Sequence, residues 1–530
     1  MDRIGRHIWL QYRITKGGIK VLIYKAFEDT RHNKIILYFI SFIISIIPAL
    51  FYTAPAFEDG LGTMATAAYL AGHDWSAFLA EDGYYYKYGQ ALWYVIPFML
   101  IDNAVVRYKV MLVINTLLTS FIPVIVYHIT LKYKLANNED AFGISLLTGL
   151  LPSILLYNKY TWAETNLFII PWLILLLQAQ IYMENKLSPG RQRIYSAAIG
   201  ALAVYAFMSH QRGLIVVIAT TMILLLMKLC KKKGICIFPY IAVLVLGLCL
   251  DRIVSCWQKE NVYAGAVLMH NTLADFLKPE VYSKIFSIKG AEAIIKSFIG
   301  WLYNCTCSTF GIGLAGLLFM LVLSLKCIMK RKFESARDIM AVQGLLCFLG
   351  AFALGLLFFF QSSYGYFDGT QVERSDHLLF GRYLESSYPI LFYFGLIGMG
   401  HLEIENKIKN ISFAMHIGML GFVAVLLLPL MENVNCYVHS LMSMNLFMDT
   451  SNVTKTLDTI PDYVTALFLF GIVSVIIALL FRLIYSRSKN AGYILVGCLF
   501  LCIYIWNSIT VTGRIDSLSE TKYAQYYLNH

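Results

Sequence analysis

Apolar runs of bilayer length, one after another, constrain this chain more than any single motif. A helix needs about 20 predominantly apolar residues to cross the hydrocarbon core, and in lipid only elements that satisfy their own backbone can span. Residues 35–52, 105–131, 139–157, 163–184, 193–209, 211–229, 235–256, 306–328, 338–361, 383–401, 410–431, 463–486 and 490–512 all read as such runs. The expected fold is an all-α polytopic membrane protein of about 13 transmembrane helices, with further juxtamembrane helices on its outer side. Composition agrees: of 530 residues, 58% are hydrophobic and 14% charged, and the mean hydropathy of +0.64 is far from that of a soluble domain.

Residues 88–101, YGQALWYVIPFMLI, are the ambiguous case: the run is short, carries Pro97 and ends in Asp102-Asn103. Charge placement decides it. Lysine and arginine hold cytoplasmic loops inside. With 88–101 left out and the N-terminus inside, most of the 43 lysines and arginines fall in or beside inner segments such as KLCKKK and KCIMKRKFESAR. Counting 88–101 as a span would put both outside, so it reads as an interfacial or re-entrant helix on the outer face. The net charge of +11 is thereby accounted for by topology, with no nucleic acid implied. Residues 1–34, basic and interrupted by charge, read as a cytoplasmic amphipathic lead-in rather than a cleavable signal peptide. A transmembrane domain over 35–512 follows, with outer loops at 53–104, 257–305, 362–382 and 432–462. An outer tail, 513–530, ends the sequence. The expected location is the plasma membrane, N-terminus in and C-terminus out.

Candidate chemistry concentrates in the outer segments. Residues 57–90 are the most acidic interval of this basic chain, with triplets Glu58-Asp59-Gly60 and Glu81-Asp82-Gly83. Asp59 lies just beyond the first span, where a partly desolvated carboxylate serves as a general base; an N-cap role is compatible with this. Glu81, Asp82 and Lys87 precede the interfacial helix. A lysine at headgroup depth suits a lipid phosphate, although a solvated loop would carry the same residues. Glu164, in TWAET, starts a span and either supports the site or complements the helix dipole. His210 and Arg212, in SHQRG, sit where two spans meet with almost no loop, so Arg212 needs an anion, either a protein carboxylate or a substrate phosphate. In ERSDHLLFGRYLE, Arg382 is placed to bind phosphate bidentately, while Arg374, Asp376 and His377 form either a supporting or a purely local ion network.

The 11 cysteines mostly fall inside apolar segments and read as small buried hydrophobes. For the Cys305/Cys307 pair, a metal or disulfide role stays open. No spacing of a zinc site, P-loop or nucleophile elbow stands in a suitable context.

The order of these segments resembles the GT-C superfamily of membrane glycosyltransferases, in its protein O-mannosyltransferase and aminoarabinose transferase branch. The likeness rests on short patches. An N-in first span is followed by an outer acidic loop with Asp59. The interfacial helix KYGQALWYVIPFML then precedes a span with Arg107 near its start. LPSILLYNKYTWAETNLF resembles the second acidic outer turn, with Glu164 where Asp is commoner. MSHQRGL resembles an Arg-x-Gly turn, and FGRYLESSYPIL the late Arg-Tyr start of a span. The chain departs from the branch where His-Pro-Pro is usual, since Tyr86-Lys87-Tyr88-Gly89-Gln90 stands there.

The resemblance implies a transferase that moves a sugar from a polyprenyl-phosphate donor to a glycan or protein acceptor outside the cell, in cell-envelope polysaccharide biosynthesis. Asp59 would be the base, with Glu58 or Glu164 assisting. Lys87, Arg212 and Arg382 would stabilise the departing phosphate. No cofactor is required, although Glu58, Asp59 and Glu164 are a set that would hold a divalent cation. Two other classes use the same materials: a transporter or flippase, and a polymerase or ligase, of lipid-linked polysaccharide.

Overall fold

The computed structural model describes residues 30–55, 58–184, 187–230, 236–268, 279–370, 374–399, 404–432, 434, 436, 438–448, 463–515 and 519–530. Nearly all of the expected lead-in over 1–34, Glu373, and most of the outer segment 432–462 lie outside the described residues.

Among the described residues the regular structure is helical. The first half comprises α1 (Thr30–Ser45), α2 (Ile47–Phe51), α3 (Glu58–Leu70), α4 (Ser76–Asp82), α5 (Val95–Leu100), α6 (Ala104–Thr119), α7 (Phe121–Lys132), α8 (Asn138–Gly149), α9 (Pro152–Tyr157), α10 (Glu164–Met183), α11 (Pro189–Ser209) and α12 (Gly213–Leu229). The second half comprises α13 (Ile237–Asn261), α14 (Pro279–Ile285), α15 (Ile288–Ser308), α16 (Ile312–Lys330), α17 (Ala336–Asp368), α18 (Tyr388–Gly398), α19 (Ile404–Leu426), α20 (Leu428–Met431), α21 (Tyr463–Arg487), α22 (Lys489–Ile515) and α23 (Ser519–Asn529).

Eight helical stretches among the described residues, with α6 and α7 taken together as one, are long and apolar enough to cross a membrane, so the chain is a polytopic membrane protein. The apolar stretches read as thirteen spans are not thirteen single helices. Residues 139–157 break between α8 and α9, because Pro152 has no N–H to continue a helix and instead starts a new one. Residues 383–401 shrink to α18. Residues 88–101 form a 3₁₀ turn, Ala91–Trp93, and the six-residue α5, too short to span.

The 257–305 segment, read as loop, is more regular. Helix α13 runs on to Asn261, and α15 carries Cys305 and Cys307, both fully buried free thiols. Local chemistry explains the helix ends. Asn103 accepts from Val106 N–H at the start of α6, and Ser335 with Asp338 forms a reciprocal capping box that starts the 33-residue α17.

One end of the bundle is assembled around residues 83–90. Gly83, at φ +67, closes α4 in the left-handed region. Tyr86 N–H donates to the Tyr263 hydroxyl (2.7 Å), and its carbonyl accepts from Gln258 Nε2 (2.8 Å). Gly89 N–H donates to the Met208 carbonyl (2.7 Å). A Cβ on Gly89 would lie 2.5 Å from Ser209 N, so only glycine allows this approach. The chain between the two short helices is thus held to α11 and α13. Helix α23 packs beside it: Tyr527 lies against Phe78 and Trp75, and Arg107 donates to the Leu528 carbonyl.

Candidate active site

Four ionised side chains from four separate elements form one chain of contacts at this end. Asp59, in the first turn of α3, accepts through Oδ2 from Arg382 Nη1 at 2.8 Å. Arg382 Nε donates to Glu164 Oε1 at 3.1 Å. The same oxygen accepts from Arg212 Nη2 at 2.5 Å, and Arg212 Nη1 donates to the Arg382 carbonyl at 3.2 Å.

Accessibility is graded along the chain. The Asp59 side chain is 36% exposed, Arg382 13%, and Glu164 2%. Water therefore reaches the Asp59 end, and the Glu164–Arg212 end is dry.

Local sequence explains each placement. Thr63 Oγ1 donates to the Thr161 carbonyl and Thr161 Oγ1 to the Gly60 carbonyl, which ties the first turn of α3 to the turn before α10. Gly62 admits the Tyr86 ring, since a Cβ there would lie 2.1 Å from a ring carbon. The Tyr86 hydroxyl then donates to Asp59 Oδ1 at 3.0 Å. Burial, and next the charges of Asp59 and Asp82, raise the Tyr86 pKa well above its ordinary value, so it remains a donor. Asp82, from the second acidic triplet, interacts with that same phenol.

Arg212 stands just before α12. Gly213 lets α11 and α12 close to contact there: a Cβ would lie 2.1 Å from the Ala206 carbonyl oxygen. His210 accepts the Arg212 N–H at 3.0 Å. Desolvation, and then Arg212, push its pKa well below the ordinary imidazole value, which keeps it neutral. Two aromatic faces complete the cradle, Trp162 under Arg382 (3.9 Å) and Tyr383 under Arg212 (4.7 Å).

Arg212 also lines a cavity between α10, α12, α17 and α18. Its lining is mostly apolar, with Leu167, Trp172, Leu175 and Ile215, and includes Ser386 and Ser387. Arg212 Nε is buried and lacks a protein partner.

The structure thus brings together Asp59, Glu164, Arg212 and Arg382, with His210 behind them and Asp82 across Tyr86. Glu58 opens α3, but its side chain lies outside the described residues. Three other candidates sit elsewhere. Lys87 is buried against Asp251 of α13, Nζ to Oδ2 2.7 Å, beneath the Phe207 ring. Glu81 lies in the last turn of α4. His377 Nδ1 bonds Ser362 Oγ at 2.6 Å, and burial pushes its pKa down to about 3. Arg374 is bidentate to Asp376 (3.1 and 2.6 Å), so those late-loop charges form a local network.

Tyr86, Trp162, Tyr383 and Glu385 carried no sequence signal of their role. Glu385 lies in the turn ahead of α18 and is 1% exposed. Desolvation pushes its pKa up to about 7. Among the described residues, no three His, Cys, Asp or Glu side chains converge as metal ligands.

No protein-family profile matches the chain, and no curated protein matches it significantly. Among solved structures it is similar to ArnT from Cupriavidus metallidurans bound to undecaprenyl phosphate, with a TM-score of 0.49 and 11% identity over 91% of this chain and 77% of that one. It is also similar to the apo state of the same protein, with a TM-score of 0.43 and 12% identity over 95% of this chain and 78% of that one.

Proposed function

We propose that the chain is a membrane glycosyltransferase that moves a sugar from a polyprenyl-phosphate donor to an acceptor on the extracytoplasmic side. The observation that carries this reading is the coincidence at Arg212. A guanidinium with an orphan buried donor lines an apolar cavity, within one contact chain of a carboxylate that is about one-third exposed. A phosphate on a long apolar tail has that division of chemistry. The N-terminal ends of α3, α10 and α12 add positive dipole ends at the cluster.

On this reading the donor phosphate docks on Arg212 and Arg382, and the acceptor approaches from the water side at Asp59. The acceptor oxygen attacks the anomeric carbon as the bond from that carbon to the phosphate oxygen breaks. The hydroxyl proton passes to Asp59, and polyprenyl phosphate leaves with the bonding pair. A single displacement inverts the anomeric carbon. The guanidiniums stabilise charge as it develops on the leaving oxygen, and Tyr86 orients Asp59. Glu164 positions both arginines.

The test is the release of polyprenyl phosphate from a panel of polyprenyl-phosphate-linked sugars, in membranes containing wild type or Asp59→Asn. Loss of a base is expected to lower turnover by about 10²–10⁴. Undiminished turnover in folded Asp59→Asn would remove Asp59 from that role.

A further inference from the structure

The opposite end of the bundle holds a second polar pocket. The Tyr463 hydroxyl, at the start of α21, bonds Ser375 Oγ at 2.8 Å, in the late loop that leads to Arg382 of the Asp59 cluster. Arg482 lies on the same helix roughly 28 Å further along, at about 1.5 Å rise per residue.

There a cavity opens between the turn Phe310–Ile312, Met399 at the end of α18, and helices α19 and α21. Lys409, Ser412 and His416 line it from one face of α19, at helical spacing, and Arg482 lines it from α21.

Two observations indicate a missing anion. Arg482 is met by neutral groups: Nη2 donates to Asn410 Oδ1 (2.5 Å), Nη1 to the Lys409 carbonyl (3.4 Å), and the guanidinium lies 5.2 Å from the Phe413 ring centre. Among the described residues no carboxylate is against it. A charge taken partly out of water, with only dipoles for company, favours an anionic ligand. Independently, His416 is fully buried. Its Nε2 faces Ser474 Oγ (3.4 Å) and Cys307 Sγ (3.8 Å), while Nδ1 has no partner. Gly311, at φ +76, leaves room beside that nitrogen; a Cβ there would lie 3.1 Å from it. Buried polar atoms are normally satisfied, so an orphan lining a cavity points to an occupant.

We propose that this pocket binds a phosphate group, carried on an anionic lipid headgroup or free, in the leaflet opposite the Asp59 cluster. Basic pockets between transmembrane helices take phosphate headgroups, and an arginine fork matches phosphate oxygens. Arg482 and Lys409 supply charge, and Ser412 and His416 supply hydrogen bonds. Exposed Ile411 and Met415 on α19 offer the acyl chains an apolar track.

The test uses full-length protein in neutral detergent, titrated separately with dioctanoyl phosphatidylglycerol, dioctanoyl phosphatidylcholine and inorganic phosphate, with the thermal midpoint as readout. Phosphatidylglycerol is expected to raise the midpoint and phosphatidylcholine to leave it unchanged. Arg482→Gln should weaken that binding about tenfold or more, by loss of a charge-assisted fork. Arg482→Lys, which keeps the charge, should retain part of it. Lys326→Gln, an exposed charge on α16, serves as control and should match wild type. If inorganic phosphate alone reproduces the Arg482-dependent shift, the occupant is the free anion; if only the lipid does, it is the headgroup. Equal stabilisation of Arg482→Gln and wild type, or no stabilisation by either probe, overturns the proposal. Arg482→Lys and Ser412→Val supply the comparison should Arg482→Gln fail to fold.

Discussion

Lys87 offers the sharpest test, because its buried partner separates a structural role from a donor-binding one. Its ammonium lies 2.8 and 2.7 Å from the two oxygens of Asp251, and both side chains are 7% exposed or less. At that separation the attraction is about 6 kcal/mol for an effective dielectric near 20, and it is offset by several kcal/mol of desolvation for each ion. The pair as a whole therefore adds little net stability. Removing one member is different, since it strands the other charge in a dry site. Lys87→Met and Asp251→Leu should each cost about 3–5 kcal/mol, and the double variant should cost less than either single one.

The assay is reversible unfolding in mixed micelles titrated with sodium dodecyl sulfate, run on wild type, both singles and the double. Polyprenyl phosphate release is measured on the same four proteins. If Lys87 serves only to hold the 83–90 segment on α13, the double variant recovers both stability and turnover. If Lys87 also touches the donor phosphate, the double recovers stability but keeps a raised KM. A Lys87→Met protein within about 1 kcal/mol of wild type would refute the reasoning, because no such stranded charge could then exist.

Further perturbations probe the surroundings. Glu164→Gln removes the carboxylate shared by both arginines and should lower kcat/KM by about tenfold or more, as an ion-paired carboxylate that orients two charged groups is lost; wild-type kcat/KM would deny it a positioning role. Gly62→Ala drives a Cβ into the Tyr86 ring, at 2.1 Å in the present geometry, and overpacking of this kind costs about 1–3 kcal/mol, read in the same unfolding assay. Glu385 predicts a pH dependence. Its folded pKa of about 7 lies above the ordinary 4.5, so the folded state holds the proton more tightly. Its contribution is complete below about 4.5 and is lost as pH rises toward 7. Glu385→Gln mimics the protonated acid and should flatten the thermal midpoint across that window; an unchanged pH profile would contradict it.

The sequence revealed the ingredients of the cluster better than their partners. Asp59, Glu164, Arg212 and Arg382 were each legible because a charge at the end of an apolar span is costly and needs a reason. Their mutual contact was not, since Arg382 and Asp59 are 323 residues apart. Lys87 shows the limit most clearly. Its position beside an interfacial helix suggests headgroup depth, yet Asp251, a carboxylate within the apolar α13, claims it across 164 residues. Tyr86 and Trp162 were hidden for another reason: in a chain that is 15% aromatic, one more ring carries no signal. For the helices, hydropathy located apolar stretches but not their breaks. Pro152 sits inside an unbroken apolar run, and only backbone geometry separates α8 from α9 there.

The contact between Asp59 and Arg382 bears on the order of events in the proposed reaction. A carboxylate that accepts from a guanidinium at 2.8 Å and a phenol at 3.0 Å has both oxygens engaged and is poorly placed to meet an acceptor hydroxyl. The guanidinium has two carboxylates to choose from, however, and Glu164 is the drier of them. A phosphate arriving at Arg212 and Arg382 would compete for the Nη1 donor that Asp59 now accepts. Once that donor turns to phosphate, Asp59 loses its guanidinium partner and Oδ2 faces the acceptor at the water-facing end of the site. Donor binding would thus switch on the base, and acceptor hydroxyls would meet an idle carboxylate until the donor is in place. On that reasoning Arg382→Lys, which cannot bridge both carboxylates with one planar fork, should partly uncouple the two steps. Hydrolysis of the donor by water should rise relative to transfer. A variant with the wild-type ratio of hydrolysis to transfer would show that Arg382 does not gate Asp59.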